Sequence, residues 1–386
     1  VRLENDFTYP GLLYVYSSLT IDLNGYVLEI PGGIYVDSGA HLTITDSNTT
    51  AEHKFTPDEN GLWVLDETNG TEIVSGGVIT GGTGKQDPDH PTPGGGGIYV
   101  APGGTLTMKG GSIVGCSAQY GGGVYVSGAF TMSGSSAIIG CAAKSFDGSS
   151  STGGGVLVEE TGKFTMEDDA EIRSCTAGTG GGVTVNSGES LGRFFMKGGR
   201  ITGCKATNSD TIFGGGGIYS DGEVIMTGGE ITNCTADSVD PSYPKSGGVY
   251  NGGSFTMSGG TIGDGCAIFN VSSSRTVFTI SGGAKINADI TNCAAIHADG
   301  GDICGAVKNG HTEYGMGEIT GSGAESTTFY GDVENIRDTI EKGKFEGSVT
   351  NNGKITGGTF TGTVTNTGGT ITGGDFSQAT SLNGNL

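Results

Sequence analysis

Residues 121–141 read GGGVYVSGAFTMSGSSAIIGC, and almost nothing in them could do chemistry. The chain says nearly the same thing at 95–116, GGGIYVAPGGTLTMKGGSIVGC, and at 180–204, GGGVTVNSGESLGRFFMKGGRITGC. The residue after each glycine run is Ile98, Val124, Val156, Val183, Ile218 and Val249, at spacings of 26, 32, 27, 35 and 31. A methionine closes each middle run: Met108, Met132, Met166, Met196, Met226 and Met257. The cysteine that follows, Cys116, Cys141, Cys175, Cys204, Cys234 or Cys266, is always 8 or 9 residues further on. Half of the repeat is therefore rigid, and length varies mainly between the cysteine and the next glycine run.

Each unit holds three short runs of strand composition, such as GIYV, TLTMKG and SIVGC, separated by glycine corners. Runs that short, with no helical period between them, cannot make compact strand–helix–strand units. They can wind as one coil of a solenoid whose strands pair with the coils above and below. Parallel crossovers are right-handed, so the repeat predicts a right-handed parallel β-helix of three-strand coils rising about 4.8 Å per coil. Stacking turns repeat positions into columns. Ile113, Ile138, Ile172, Ile201 and Ile231 stand three before their cysteines, with Ile262 four before, as an inward aliphatic ladder. Ala118, Ala143, Ala177, Ala206 and Ala236 follow the cysteines at a tight corner, and Gly-Gly pairs such as 110–111 and 198–199 suit positive φ. Glu171, Arg200 and Glu230 would stack as alternating charges, as would Glu167 and Lys197.

The same logic holds less regularly toward the N-terminus, where wider coils are interrupted by 47–62. Beyond about residue 316 the rhythm halves: Phe345, Phe360 and Phe376 are 15 and 16 apart. That tail is either a narrower solenoid or a two-strand continuation, which gives a β-helix over 1–315 and a short-repeat β segment, continuation or cap, over 316–386. A short helix is expected within 322–342 as a junction.

Composition excludes several classes. The 386 residues include 78 glycines but only 9 prolines, which rules out collagen. A formal charge of -22 repels phosphate backbones and anionic surfaces, so no nucleic-acid partner is expected. No apolar run approaches the roughly 20 residues of a membrane span, so no membrane insertion is expected, and the chain is read as a monomer. It begins without an initiator methionine or a signal peptide, as a trimmed or mature fragment would.

The segments DLNGYVLEI and GAHLTITDS and the recurring GGGVYV…FTMSGG pattern resemble the pectate-lyase-like β-helix repeats of large surface proteins of anaerobic Gram-positive gut bacteria. The tail ITGGTFTGTVTN resembles short repeats of the same proteins. The similarity covers most of the chain and is specific for fold. It implies an exported, cell-surface or wall-associated location and a function as an adhesin.

Six of the eight cysteines form the inward column and are expected to be reduced core residues; Cys293 and Cys304 lie outside it as the one candidate disulfide. No close cysteine pair has zinc spacing. Glycosidases need two carboxylates about 5–9.5 Å apart. Asp168 and Asp169, with Glu159 and Glu160 earlier in the same coil, are the best candidates for such a catalytic set. The architectural reading is that Asp168 and Asp169 replace a Gly-Gly corner, because Asp tolerates left-handed geometry. Asp299 and Asp302 in HADGGD offer a weak calcium possibility without the spacing of a known loop; no other cofactor is expected. The variable segments between cysteine and glycine run all leave the same corner. They would gather Phe146, Asp147, Phe213, Asp237, Asp240 and Tyr243 on one edge, where insertions in repeat proteins mark binding faces. The expected function is therefore a non-catalytic surface adhesin contacting a glycan or an extracellular protein through that edge. The alternatives are a β-helical polysaccharide lyase or hydrolase, and a passive spacer.

Overall fold

The computed structural model describes residues 1–384 except 60, 85–93, 146–148, 208–213, 238–245, 274 and 312–314. The chain winds as a right-handed parallel β-helix built on a 26-stranded and a 15-stranded parallel sheet, with a five-stranded sheet at one corner. One coil runs through strands Ile98–Val100, Thr105–Met108 and Ser112–Val114, then the two-residue strand Ser117–Ala118. Three principal strands per coil are as predicted; the short fourth strand is an addition.

Each sequence column is a register column. Ile98 pairs with Val124, then Val156, Val183, Ile218 and Val249 in turn. The methionines pair from Met108 to Met257 without a slip. Ile262 pairs with Ile231 although it stands one residue further from its cysteine, so the extra residue of that coil is absorbed after Ile262. The inward side chains of these columns are buried in one continuous core, each large aliphatic contributing about 1.5–3 kcal/mol. Phe130, Phe164 and Phe194 stack inside it with centroids 4.9 and 4.8 Å apart.

The glycine triplet of the opening stretch has a separate reason at each position. Gly121 sits at φ +63°, where a β-carbon is strained. A β-carbon on Gly122 would lie 2.5 Å from the Ala142 and Gly154 carbonyl oxygens. One on Gly123 would lie 2.8 Å from Ile138 Cγ2. The chain turns sharply there while the next coil and the core both press against its backbone.

Three expectations need correction. The N-terminal interruption is larger than 47–62. Between His41–Thr45 and Val78–Thr80 the chain leaves the solenoid as a three-stranded antiparallel flap, Glu52–Pro57, Trp63–Leu65 and Glu72–Ser75. The segment EIVS therefore belongs to the flap, with Ile73 exposed and Val74 buried, while Val78–Thr80 is wholly buried in a coil. The flap folds back on the solenoid flank through Phe55, Trp63 and Val74, which pack on Val114, Ala137 and Ile139. The Trp63 amide donates to the Gly140 carbonyl at 3.0 Å, and the Arg173 guanidinium lies 4.8 Å over the indole.

Second, no helix occurs among the described residues, and 322–342 holds strands Thr328–Phe329, Val333–Asn335 and Thr339–Ile340. Phe329, Val333 and Ile340 have helical spacing, yet each pairs in register with the coil below, to Ile303, Val307 and Ile319. Third, all eight cysteines are free; Cys293 is buried and Cys304 exposed, so they do not meet as a disulfide.

The tail is the narrower solenoid. Phe329, Phe345 and Phe360 pair in register, as do Val333, Val349 and Val364, so three short strands close a coil every 15 or 16 residues. From the coil of Val249–Asn251 into this tail runs a feature the sequence reading missed. Asn251, Asn270, Asn292, Asn309, Asn335, Asn351 and Asn366 are buried and stacked, each Nδ2 donating to the next Oδ1 at 2.7–2.9 Å. The same Nδ2 groups also reach backbone carbonyls, as Asn335 does to Asp338 at 2.7 Å.

Candidate functional site

The flap makes a surface that a bare solenoid lacks. Its residues Asp58, Glu59 and Gly61 stand over the corner from which the variable segments leave and border a groove of about 780 Å³. Asp58 and Glu59 line it from the flap, and Lys144, Ser145, Thr176 and Lys205 from three successive coils. Lys144 Nζ lies 3.3 Å from Asp58 Oδ2 and bridges the two walls. On the coil side, Lys205 pairs with Asp237 at 3.0 Å. Asp58 is held by its own turn, its Oδ1 accepting from the Leu62 amide at 2.8 Å. The groove is open, hydroxyl-rich and of mixed charge.

Of the predicted edge residues, Asp237 is exposed beside this groove. Phe146, Asp147, Phe213, Asp240 and Tyr243 lie outside the described residues. The sequence pointed to the edge; the opposite wall came from the flap, whose docking rests on Trp63, the chain's one tryptophan.

The carboxylates of the enzyme alternative occupy two different corners. Glu159 accepts from the Tyr125 hydroxyl at 2.8 Å, and Glu160 from the Glu189 amide at 3.2 Å. Burial, then the Glu159 charge, pushes the Tyr125 phenol well up, so it stays the donor in that bond. Asp168 lies beyond the four-residue strand Lys163–Met166, which at strand rise spans about 13 Å. The structure does not bring the two pairs together. Asp168 sits at φ +56° with its Oδ2 accepting from the Gly134 amide of the preceding coil at 3.1 Å, the corner role that its residue type suggests. Asp168 and Asp169 do border a small hollow with Arg200 and Glu230, but Arg200 is engaged by Glu171 at 2.8 Å. The charge columns form as expected, with Lys197 3.3 Å from Glu167.

Asp299 and Asp302 lie on one strand, Ala295–Ile303, without facing a common site. Asp299 Oδ1 takes Lys342 Nζ at 2.9 Å and the Gly323 amide at 2.7 Å. Burial alone would raise this carboxyl, and those donors hold it below its usual value. Asp302 stands opposite Lys285 in register.

An outward tyrosine column, Tyr35, Tyr99 and Tyr125, also escaped the sequence reading, although the repeated I/V-Y-V was its signal. The rings stack on each other at 5.1 and 4.7 Å within 10° of parallel. Their faces are spent on one another, so the column braces the sheet instead of offering a platform for a sugar.

Comparison with known protein families, curated proteins and solved structures finds no match. The fold therefore stands on its register columns.

Proposed function

We propose that this chain is a non-catalytic binding module of a cell-surface adhesin, and that it holds a glycan between the flap and the variable edge. The supporting observation is the groove itself. It is a preformed concave surface with serine and threonine hydroxyls beside paired lysines and carboxylates, the groups that exchange hydrogen bonds with sugar hydroxyls. Its lysines are already neutralised by Asp58 and Asp237, and the whole chain carries -22, so a neutral glycan suits it better than a polyanion. An extracellular location, attached to the wall of a Gram-positive bacterium, fits the resemblance of its repeats to surface proteins.

The test is a screen of the intact chain against arrayed glycans and mucins with calcium present. Replacing 142–152 and 235–246 by short Gly-Ser turns, or Lys144→Ala with Lys205→Ala, should abolish a reproducible hit. Binding that survives both changes refutes the groove as the site. A hit confined to protein ligands transfers the module to that partner class. Silence in every arm leaves the spacer reading. Asp168→Asn with Asp169→Asn should leave binding unchanged, and a loss of polysaccharide cleavage in that variant would establish the enzyme instead.

A further inference from the structure

The six core cysteines form a column whose spacing is itself chemical information. The residue after each cysteine donates its amide to the cysteine carbonyl one coil earlier: Ala142 to Cys116, Thr176 to Cys141, Lys205 to Cys175 and Thr235 to Cys204, at 2.9–3.0 Å. Cys116 through Cys234 are therefore in strict register, and their sulfurs repeat at the strand spacing of about 4.8 Å; Cys266, whose coil carries one extra residue after Ile262, leaves that register but still sets its sulfur beside that of Cys234. A metal–thiolate bond is about 2.3 Å, so one ion held linearly between two sulfurs spans about 4.6 Å. The column is thus preset for linear two-coordinate ligation between neighbouring coils. It is poorly set for anything larger: among the described residues no group of three or more His, Cys, Asp or Glu converges on a metal position. Disulfides are equally disfavoured, because side chains stacked in register run parallel.

The surroundings agree. Five of the six sulfurs are fully buried among aliphatic neighbours, which excludes hard, strongly hydrated ions. Each sulfur of Cys141, Cys175, Cys204, Cys234 and Cys266 is approached by a backbone N–H of the preceding coil's cysteine, but burial and the neighbouring sulfurs hold the Cys175, Cys204, Cys234 and Cys266 thiols above their usual value, so a bound cation must itself displace the protons. Cys266, at one end of the column, is only half-buried and opens it to solvent.

We infer that the cysteine column is a binding site for soft monovalent d10 cations, copper(I) being the biological candidate, each held linearly by the sulfurs of two adjacent coils. A thiolate that bridged two ions in a straight column would need metal bonds on opposite sides of sulfur, so filling alternates. The pairs are Cys116–Cys141, Cys175–Cys204 and Cys234–Cys266. Each ion forms two metal–sulfur bonds and releases two thiol protons to solvent, with no change of oxidation state.

The probe is silver(I), which is redox-inert, added anaerobically to the intact reduced chain carrying Cys304→Ser to remove the exposed thiol. Native mass spectrometry should show saturation at three ions, with six protons released in weakly buffered solution. Two double variants then separate register from thiol number. Cys141→Ala with Cys204→Ala leaves four core thiols but one adjacent pair, and should bind one ion. Cys116→Ala with Cys266→Ala also leaves four, as two adjacent pairs, and should bind two. Equal stoichiometry in the two variants, three ions in both, or no binding by the parent overturns the inference. X-ray absorption at the silver edge of the loaded parent provides a reading independent of the variants. Two sulfur neighbours are expected, and nitrogen, oxygen or a third sulfur in the coordination sphere rejects it.

Discussion

Replacing one asparagine inside the narrow solenoid should cost more than replacing the same residue at the ladder's end, by an amount the hydrogen bonds define. Asn335 is fully buried; it accepts from Asn309 Nδ2 at 2.9 Å and donates to Asn351 Oδ1 at 2.7 Å. Asn335→Ala strips both neighbours of a partner. Of its two backbone acceptors, the Asp338 carbonyl keeps the Lys354 amide at 2.7 Å, and the Lys354 carbonyl loses only a long contact of 3.4 Å. A buried polar group deprived of its partner costs about 1–3 kcal/mol; Asn309 Nδ2 would keep only the Thr339 carbonyl at 3.5 Å and Asn351 Oδ1 only the Gly353 amide at 3.3 Å, so the two losses together cost up to about 2–6 kcal/mol. Asn366→Ala, at the C-terminal end of the ladder, takes the 2.8 Å acceptor from Asn351 Nδ2 and the 2.9 Å donor from the carbonyl of Gly369, a half-buried residue that water can serve, a cost of about 1–3 kcal/mol. The deleted volume is the same in both variants, so the difference isolates the ladder. A solenoid loosens locally, and the assay is therefore amide hydrogen exchange of the strand Val349–Asn351 followed by mass spectrometry. Equal loss of protection in the two variants, or losses below about 1 kcal/mol in both, would refute the claim that the ladder is a cooperative hydrogen-bonded chain.

The hydroxyl of Ser220, which pairs in register with Asn251 one coil before the ladder begins, is buried without a hydrogen-bond partner; Ser220→Asn should extend the ladder and stabilise by about 1 kcal/mol, and a lowered unfolding midpoint would count against it. At Gly140 a β-carbon would overlap the Trp63 ring, so Gly140→Ala should undock the flap, shift tryptophan fluorescence to the red and strip the flap strands of exchange protection while the coils keep theirs. Burial raises the Asp221 and Asp338 carboxyls above the usual 3.8. Their contribution is fully present below that value and is lost as pH rises through the raised folded values. Their share of the stability should therefore grow as pH is lowered toward 3.8, and Asp221→Asn with Asp338→Asn should flatten that gain in urea titrations.

The coil was legible because its inward positions are chemically monotonous. Met, Ile and Cys recur at fixed offsets, and any shift of register would put one of them in water. The ladder was not read because asparagine suggests a turn when considered alone. Its signal was a triplet, Val or Ile two residues before each of Asn251, Asn270, Asn292, Asn309, Asn335, Asn351 and Asn366. A buried amide becomes tolerable only when its copies stack, and that is a property of the assembled coils. The flap was hidden for a related reason. Its strands are short and largely polar, and what fixes them is Trp63 meeting Gly115 and Gly140, contacts that span more than fifty residues. The helix expected in 322–342 failed because the spacing of Phe329, Val333 and Ile340 fits either one helical face or one narrow coil. Only the neighbouring coils decide between the two. The groove was half visible, as an edge without its opposing wall.

The change of coil size has a mechanical meaning. Ladder hydrogen bonds lie along the solenoid axis, so tension applied to the two ends peels the chain one turn at a time. Each narrow turn holds 15 or 16 residues and frees about 50 Å of contour. Each wide turn between Ile98 and Val249 holds 26 to 35 residues and frees about 90–120 Å. Pulled from its C-terminus, the molecule would yield in short steps and then in long ones. That sequence of extensions is a ruler written into the chain, and it makes the tail the part that gives first under load.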